Sequence, residues 1–474
     1  MQASANRYLS ENFAPIERES ELRCEVVEGK LPTDLYGAFL RNGPNARFDP
    51  PIPELYHPFD GDGMIHSVSF ENGKATYRNR WVRTAGLLRE EQAKKALWGG
   101  FATGMRVVPP KDMPQKNLAN TALVWHAGRL LALWEGGPPH ELSLPELDTQ
   151  GIETFEGKWS GSFTAHPTVD PRTGEMITFG YSIMKPVVHY GVIDKRGKLV
   201  HETKIALKKP VMIHDIAITE HYSLILDMPV TISIERMMRG GKIFDWEPEN
   251  GARIGVLPRF GQGSEIRWFD VKAGYVYHVF NAYEEGKEIV LDACRMNETH
   301  ILTESEADEA DENARYYRYR LNLETGAASE EKRDTRGVDF SRINERYVGI
   351  KTRYGYASRF AGNRGVGPFF NAVIKYDFEH GTSETVELGP HIYTQEFVFA
   401  PRVGSQTEDD GYVVGVVRDE ARNVSECWVI DARNFSAGPI AKLRCDQRIP
   451  YGFHSYWVSG EDIAAQQLHV TVER

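Results

Sequence analysis

Long apolar runs are missing from this chain of 474 residues. No stretch of 18 apolar residues occurs, so nothing in it reads as a transmembrane helix. The opening Met-Gln-Ala-Ser-Ala-Asn-Arg carries no apolar core, so it does not read as a signal peptide. Basic excess is also missing. The formal net charge is −11, which argues against a nucleic-acid binder, because phosphate neutralisation needs a basic face. Cysteine is scarce: Cys24, Cys294, Cys427 and Cys445 lie far apart with no CxxC pair. That spacing predicts neither a zinc framework nor a disulfide scaffold, and it suits a reducing cytoplasm. No linker interrupts the chain, so residues 1–474 are expected to form one domain.

What is present is globular: 41% hydrophobic and 26% charged residues. A theme recurs without a strict period, in which a short strand enters a Gly- or Asn-containing turn and a second strand returns. It is read in Phe70–Tyr77, Val169–Met176, Val192–Val200, Leu321–Ala327, Tyr376–Thr382 and Val429–Asn434. Strands are also expected at Leu22–Glu28, at Gly37–Pro44 and at Ile65–Phe70 after two Asp-Gly steps. Many short strands over this length predict an all-β fold, and a β-propeller more than a sandwich. Gly86–Trp98 reads as a helix from its strong helix formers. The apolar, glycine-rich Gly99–Met105 is open to four readings: lid, substrate portal, membrane-touching patch or packed loop. The acidic stretch Glu304–Glu312 reads as a solvated loop.

Chemistry points to histidine. Of 15 histidines, four sit in apolar or aromatic runs: His166 between a short β-like run and a Pro turn, His214, His278 and His454. A lone histidine of this kind is more often a core residue than a ligand. Four that met at one axis would bind a metal, and a propeller is an architecture that aims distant strand ends at one axis. Imidazole suits iron, zinc, copper or nickel. Four neutral ligands would leave two positions on an octahedral Fe(2+) ion, enough for O2 beside a substrate. Ligating histidines usually donate their other N–H to a carboxylate or carbonyl, and Glu135, Asp339 and Glu396 stand in apolar surroundings suited to that role.

The stretches Arg41-Asn-Gly-Pro, His57-Pro-Phe-Asp-Gly-Asp-Gly-Met, Asn120-Thr121, Trp134-Glu-Gly-Gly, Ala165-His-Pro and His214-Asp-Ile-Ala-Ile-Thr occur in this order. His278 with Asn281-Ala-Tyr-Glu-Glu, Glu396-Phe-Val-Phe-Ala-Pro-Arg, Asp409-Asp-Gly and Phe453-His454 follow. Together, from about residue 25 to 458, they resemble the carotenoid cleavage oxygenase family, which also holds stilbene- and phenylpropanoid-cleaving enzymes and a retinoid isomerase. The resemblance implies a seven-bladed β-propeller with a helical and loop dome over an axial iron. It implies His166, His214, His278 and His454 as the iron ligands. It implies Glu135 and Glu396 as carboxylates that hold ligand histidines, and Thr121 as a residue whose methyl limits access to the metal. Where the family commonly has Glu before Phe-Pro, this chain has Asp339 before Phe340-Ser341.

The resemblance further implies a dioxygenase that cleaves a conjugated C=C bond with O2 to two carbonyl products. The block Trp246 to Phe269 is similar to isoeugenol- and stilbene-cleaving members. Those members bind a phenol through a Lys and a Tyr, and the matching positions here are Trp134 and Phe101. A site lacking those polar partners favours apolar ligands. The expected substrate is therefore an apocarotenoid or another long polyene, with a phenylpropanoid or stilbene as the alternative. An iron-dependent isomerase and a non-catalytic binding propeller are weaker readings. The expected location is cytoplasmic, with peripheral membrane contact suggested by Leu97–Met105.

Overall fold

Hairpins form where turn residues allow them. Asn72 and Gly73 both take positive φ (50° and 70°) between strands Gly63–Glu71 and Lys74–Trp81. That is the conformation a two-residue turn of this type needs. Strand Lys74–Trp81 then alternates strictly, burying Ala75, Tyr77, Asn79 and Trp81 and turning the residues between them outward. The computed structural model describes residues 6–239, 241–299, 313–362 and 369–472; the acidic stretch Glu304–Glu312 lies outside them.

The chain is predominantly β, in antiparallel sheets of mostly four or five strands. One sheet has nine strands, eight along its path and Thr382–Glu387 to the side, and narrows at a single pairing, Phe370 with Thr394. The edge strand of one sheet packs on that of the next: Thr168–Val169 on Ile216–Ile218, and that on Tyr275–Glu285. The series continues through Val338–Arg342, Ile392–Pro401 and Ser455–Ser459 to Ala122–His126. These inner strands surround a common axis, as in a β-propeller.

Both chain ends close the ring. Ser20–Arg23 pairs with Lys74–Trp81 and Ser455–Ser459 with Gly37–Pro44, in one sheet. Glu25–Gly29 leaves it to pair with Pro439–Arg444 in the nine-stranded sheet. The single strand expected over Leu22–Glu28 is therefore two, broken at Cys24, where the backbone passes between sheets. The reading of the cysteines is overturned here. Cys24 and Cys445, 421 residues apart, are disulfide-bonded across this seam; Cys294 and Cys427 are buried and free. Sequence distance hid a pair that ring closure makes neighbours, and the cysteines no longer argue for a reducing compartment.

The core lies between sheets. Phe39, Val68, Phe70 and Tyr77 pack against Val398, Ala400, Tyr412 and Val414, all buried. Truncating one such side chain, Phe39→Ala, would cost about 3–5 kcal/mol through lost burial and the cavity left behind. The expected helix is shorter than Gly86–Trp98: it spans Ala85–Ala93. Thr84 caps it by accepting from Leu87 N–H (3.1 Å), and Lys94, in the left-handed conformation, ends it. Glu90 is buried on this helix because Lys116 binds both it and Asp62, each at 2.5 Å.

Candidate functional site

The four histidines reach the axis from four sheets. His166, His214 and His454 each lie within two residues of an inner strand, just before Thr168–Val169, Ile216–Ile218 and Ser455–Ser459. The short β-like run expected before His166 is not a strand; Phe163–His166 is held by Thr164 N–H on Phe179 C=O (2.7 Å). His278 lies inside strand Tyr275–Glu285, at an irregularity of its pairing. Asp339 and Glu396 also lie at pairing irregularities, between Asp339 and Arg342 and between Thr394 and Phe397. A β-bulge breaks the two-residue alternation and re-aims a side chain, so three of the polar groups here point where a regular strand would not send them. Phe340, beside Asp339, takes a positive φ of 53° and lays its ring against His278 and His454, each at 5.2 Å between centroids.

The result is one cluster. One ring nitrogen from each of His166, His214, His278 and His454 lies within 4.8 Å of the others, a set that could hold one metal ion. The outer nitrogens are engaged. His278 Nδ1 is 2.8 Å from Asp339 Oδ1, His454 Nδ1 is 3.3 Å from Glu396 Oε1, and His214 Nδ1 bonds Glu135 Oε1. Each carboxylate takes an Nδ1–H and leaves the Nε2 lone pair facing the axis. The shorter Asp339 reaches its histidine directly. Its Oδ1 also accepts Phe340 N–H at 2.9 Å, while Glu396 Oε2 accepts Ser455 N–H.

Two observations fit a metal ion. His278 Nε2 and His454 Nε2 are 3.2 Å apart, where two lone pairs repel unless a cation or proton lies between them. His166 Nε2 is buried with no hydrogen-bond partner. Burial and the neighbouring imidazoles hold His166 well below the usual histidine range; burial likewise pushes His454 down to about 4. Both are therefore neutral donors at physiological pH. For His278 burial acts downward, but the Asp339, Asp215 and Glu396 carboxylates together outweigh it and the net displacement is upward. Burial opposes ionisation of Glu396, yet Arg342 and His454 hold it below the usual carboxylate range.

Above the cluster opens a cavity of about 1570 Å³, lined mainly by aromatic and aliphatic side chains. Thr121, Trp134 and Phe101 line it. The Thr121 hydroxyl donates to Asn120 Oδ1 (3.1 Å) and its carbonyl accepts His454 N–H (3.2 Å). Gly136 follows Trp134 closely because a Cβ there would strike the indole ring. Phe101 is at the rim, stacked on Phe244 (5.7 Å), with its N–H on Asp60 Oδ1 (2.6 Å). Gly99–Met105 forms turns and the start of a short 3-10 segment, Gly104–Arg106, at this rim.

Sequence reasoning missed three partners. The half-buried Tyr181 donates its hydroxyl to Glu135 Oε2 (2.6 Å), so that carboxylate serves His214 and Tyr181 together. Asp215 accepts Ile216 N–H (2.7 Å) and Val279 N–H (2.9 Å), tying the segments that carry His214 and His278. Arg342 sits between Glu345 (2.9 Å) and Glu396 (4.0 Å). Asp215 adjoins His214 in a quoted motif and was findable; Tyr181 carries no local signal.

Comparison with known proteins agrees with this geometry. The family model described as retinal pigment epithelial membrane protein matches residues 13–459. A carotenoid 9,10(9',10')-cleavage dioxygenase of Crocus sativus is 39% identical over 98% of this chain and 91% of its own. The crystal structure of Pseudomonas brassicacearum lignostilbene dioxygenase superposes with a TM-score of 0.89 at 30% identity, covering 97% of this chain and all of that one. A mutant of Synechocystis apocarotenoid oxygenase gives 0.84 at 30% identity, over 94% and 97%. The chain belongs to the carotenoid cleavage oxygenase family, whose family model carries the name of the retinal pigment epithelial membrane protein.

Proposed function

We propose that this chain is a non-haem Fe(2+) dioxygenase that cleaves a conjugated C=C bond of an apocarotenoid or carotenoid to two carbonyl products. The observation that carries the reading is the juxtaposition of the four-histidine cluster with a large, mainly apolar cavity. His166, His214, His278 and His454 would hold the ion, and ferrous iron would supply there the electrons and open coordination sites that O2 activation needs. Glu135, Asp339 and Glu396 fix the imidazole tautomers. Their three negative charges, set against a dication and the Arg342 guanidinium, make the centre close to neutral, so it can sit in a buried site. Thr121, beside His454, narrows the approach to the ion. Trp134 and Phe101 shape a wall for an oily polyene, which the cavity holds in register for attack.

A phenol meets no free lysine or arginine among the described residues that line the cavity. Lys116, the cation lining this cavity, is already bound by Asp62 and Glu90. The likeness to lignostilbene dioxygenase favours the second reading, the same chemistry on a stilbene or phenylpropanoid. Reading the nine-stranded sheet as two blades gives seven in all.

Entry from a membrane surface is part of the proposal. Ile183 and Met237 line the cavity, and their neighbours Met184 and Met238, with Phe101 and Val108, are exposed apolar side chains. Among the described residues no helix is long and apolar enough to cross a membrane. We place the protein on the cytoplasmic side, touching the bilayer with this rim.

The test is a substrate panel on iron-loaded protein: an apocarotenal, an apocarotenol, resveratrol, isoeugenol and 4-vinylguaiacol, with products identified by mass spectrometry. Cleavage of the polyenes alone supports the first reading. Cleavage of the phenols alone moves the assignment to the second.

A further inference from the structure

A second cluster of charge lies in the interior behind the cavity wall: Arg41, Arg418 and Arg448 do not line the cavity, but Gln395, Tyr451 and Gly452 beside them do. Arg41, on strand Gly37–Pro44, is 3% exposed. It donates to Gln395 Oε1 (3.4 Å) and to the Pro450 carbonyl, and its Nε has no partner. Arg418, on strand Gly411–Asp419, is 6% exposed. It donates from Nη2 to Asn423, while Nε and Nη1 have no partner. Its cross-strand neighbour Ser425 accepts Ile449 N–H (3.0 Å) and donates to Ile449 C=O (3.4 Å). Two arginines from different sheets thus approach the short segment 449–452.

The segment brings its own cation. Arg448 donates to the Ala14 and Pro15 carbonyls (2.7 and 3.0 Å) and leaves Nη1 buried without a partner. Asn12 is 4% exposed, its carbonyl accepts Tyr451 N–H (3.1 Å), and both atoms of its side-chain amide are unpartnered. Five unpartnered polar nitrogens and one amide oxygen therefore gather along 448–452 and the N-terminal arm.

Charge decides what they are for. Among the described residues, none of the hydrogen bonds of Arg41, Arg418 or Arg448 goes to a carboxylate. Asp419 is taken by Arg422 (2.5 Å), and Glu420 accepts the Tyr451 hydroxyl (3.3 Å). A guanidinium cannot shed its proton as a buried lysine can, so burial with too little counter-charge is strongly unfavourable; the Asp419 and Glu420 carboxylates partly offset Arg418, and no carboxylate does so for Arg41 or Arg448. The three cations also lie in one another's field. Burial, then Arg41 and Arg448, hold His66 well below its usual range, and burial and Arg418 lower Arg448. Water would complete the hydrogen bonds but leave three guanidinium charges set against only the two carboxylates near Arg418.

We propose that Arg41, Arg418 and Arg448, with Asn12, form a binding site for a small inorganic anion, a halide or an oxyanion. The bound ion ties residues 12–15 to segment 448–452. It thereby braces the backbone that leads through Gly452 and Phe453 to His454.

Thermal unfolding of the iron-loaded protein tests this. Inorganic phosphate and, separately, chloride replace a bulky organic anion at constant ionic strength. A bound ion stabilises by mass action, so the wild type should gain about 3 °C or more, saturating with concentration, in at least one series. Arg418→Met and Arg448→Met should each lose the saturating part and keep only the general salt response. With the bulky anion alone, Arg418→Met should be at least as stable as the wild type, because it removes an unpaired buried cation. The series that saturates identifies halide or oxyanion. A wild type without a saturating gain in either series overturns the site, and so does an equal saturating gain in both variants.

Discussion

Asp339 is the shortest of the three carboxylates that hold the histidines, and lengthening it gives a demanding test of the site. The carboxylate is 8% exposed and already touches both its partners: His278 Nδ1 at 2.8 Å and Phe340 N–H at 2.9 Å. Asp339→Glu adds one methylene, about 1.5 Å of reach, to a contact with no slack. The new side chain must buckle off its rotamer or push the His278 ring, which is flanked by Phe340. Overpacking of this kind costs about 1–3 kcal/mol, and 1.4 kcal/mol is tenfold in an equilibrium constant. Iron affinity is therefore expected to fall roughly five- to 150-fold. Asp339→Asn keeps the length and removes the charge, and loss of such a partner typically costs 10- to 100-fold in affinity or activity. The assay is chelator competition on protein reconstituted with ferrous iron, beside thermal unfolding of the iron-free proteins, which separates a folding defect from a binding one. If Asp339→Glu binds iron as tightly as the wild type, the wall around His278 is not rigid, and the bulge at Asp339 does not set the length of this residue.

Other expectations follow from single contacts. Tyr181→Phe removes one donor from the half-buried Glu135 carboxylate; a hydrogen bond to a charged group is worth about 1.5–3 kcal/mol, so iron retention should drop about tenfold or more in the same chelator assay, and no change would remove Tyr181 from the site. Non-reducing peptide mapping should recover Cys24 joined to Cys445 with two free thiols, and Cys445→Ser should lower the unfolding temperature by several degrees, given a typical disulfide contribution of about 2–4 kcal/mol. Trp134→Lys with Phe101→Tyr should raise turnover of isoeugenol relative to an apocarotenal by about tenfold or more, since a buried phenol then gains partners. Burial pushes His126 and His140 down to about 4. At these two residues the folded protein therefore binds fewer protons than the unfolded chain between about pH 6.5 and 4, and their contribution to stability falls as pH falls through that window, by at most about 1.4 kcal/mol per unit for each group. Asp60 and Asp215, raised by burial to about 6, act oppositely below that value. His140→Gln should flatten the acid side of an unfolding-temperature profile; an unchanged slope would show that His140 is not buried neutral.

How much of this was legible in the sequence depends on whether the signal was local. Asn72-Gly73, Thr173-Gly174 and Thr325-Gly326 announce their hairpins because φ > 0 is a property of single residues, and the strands around them follow. Helix length was misread because Lys94 to Leu97 are good helix formers, while the chain is turned there by tertiary demands: Glu90 must face Lys116, and its carboxylate also accepts Leu97 N–H (2.7 Å). The four histidines were findable as polar residues in apolar runs, but not their convergence, since the elements that carry them are hydrogen-bonded within different sheets. The bulges at His278, Asp339 and Glu396 were illegible for a deeper reason. A bulge is a mismatch between two strands, so no one strand's sequence encodes it. The same holds for the seam: Cys24 and Cys445 become neighbours only because Glu25 pairs with Arg444, a register fixed by closing the ring. What local pattern leaves out here is the set of long-range pairings, and those are the ones that build the metal centre.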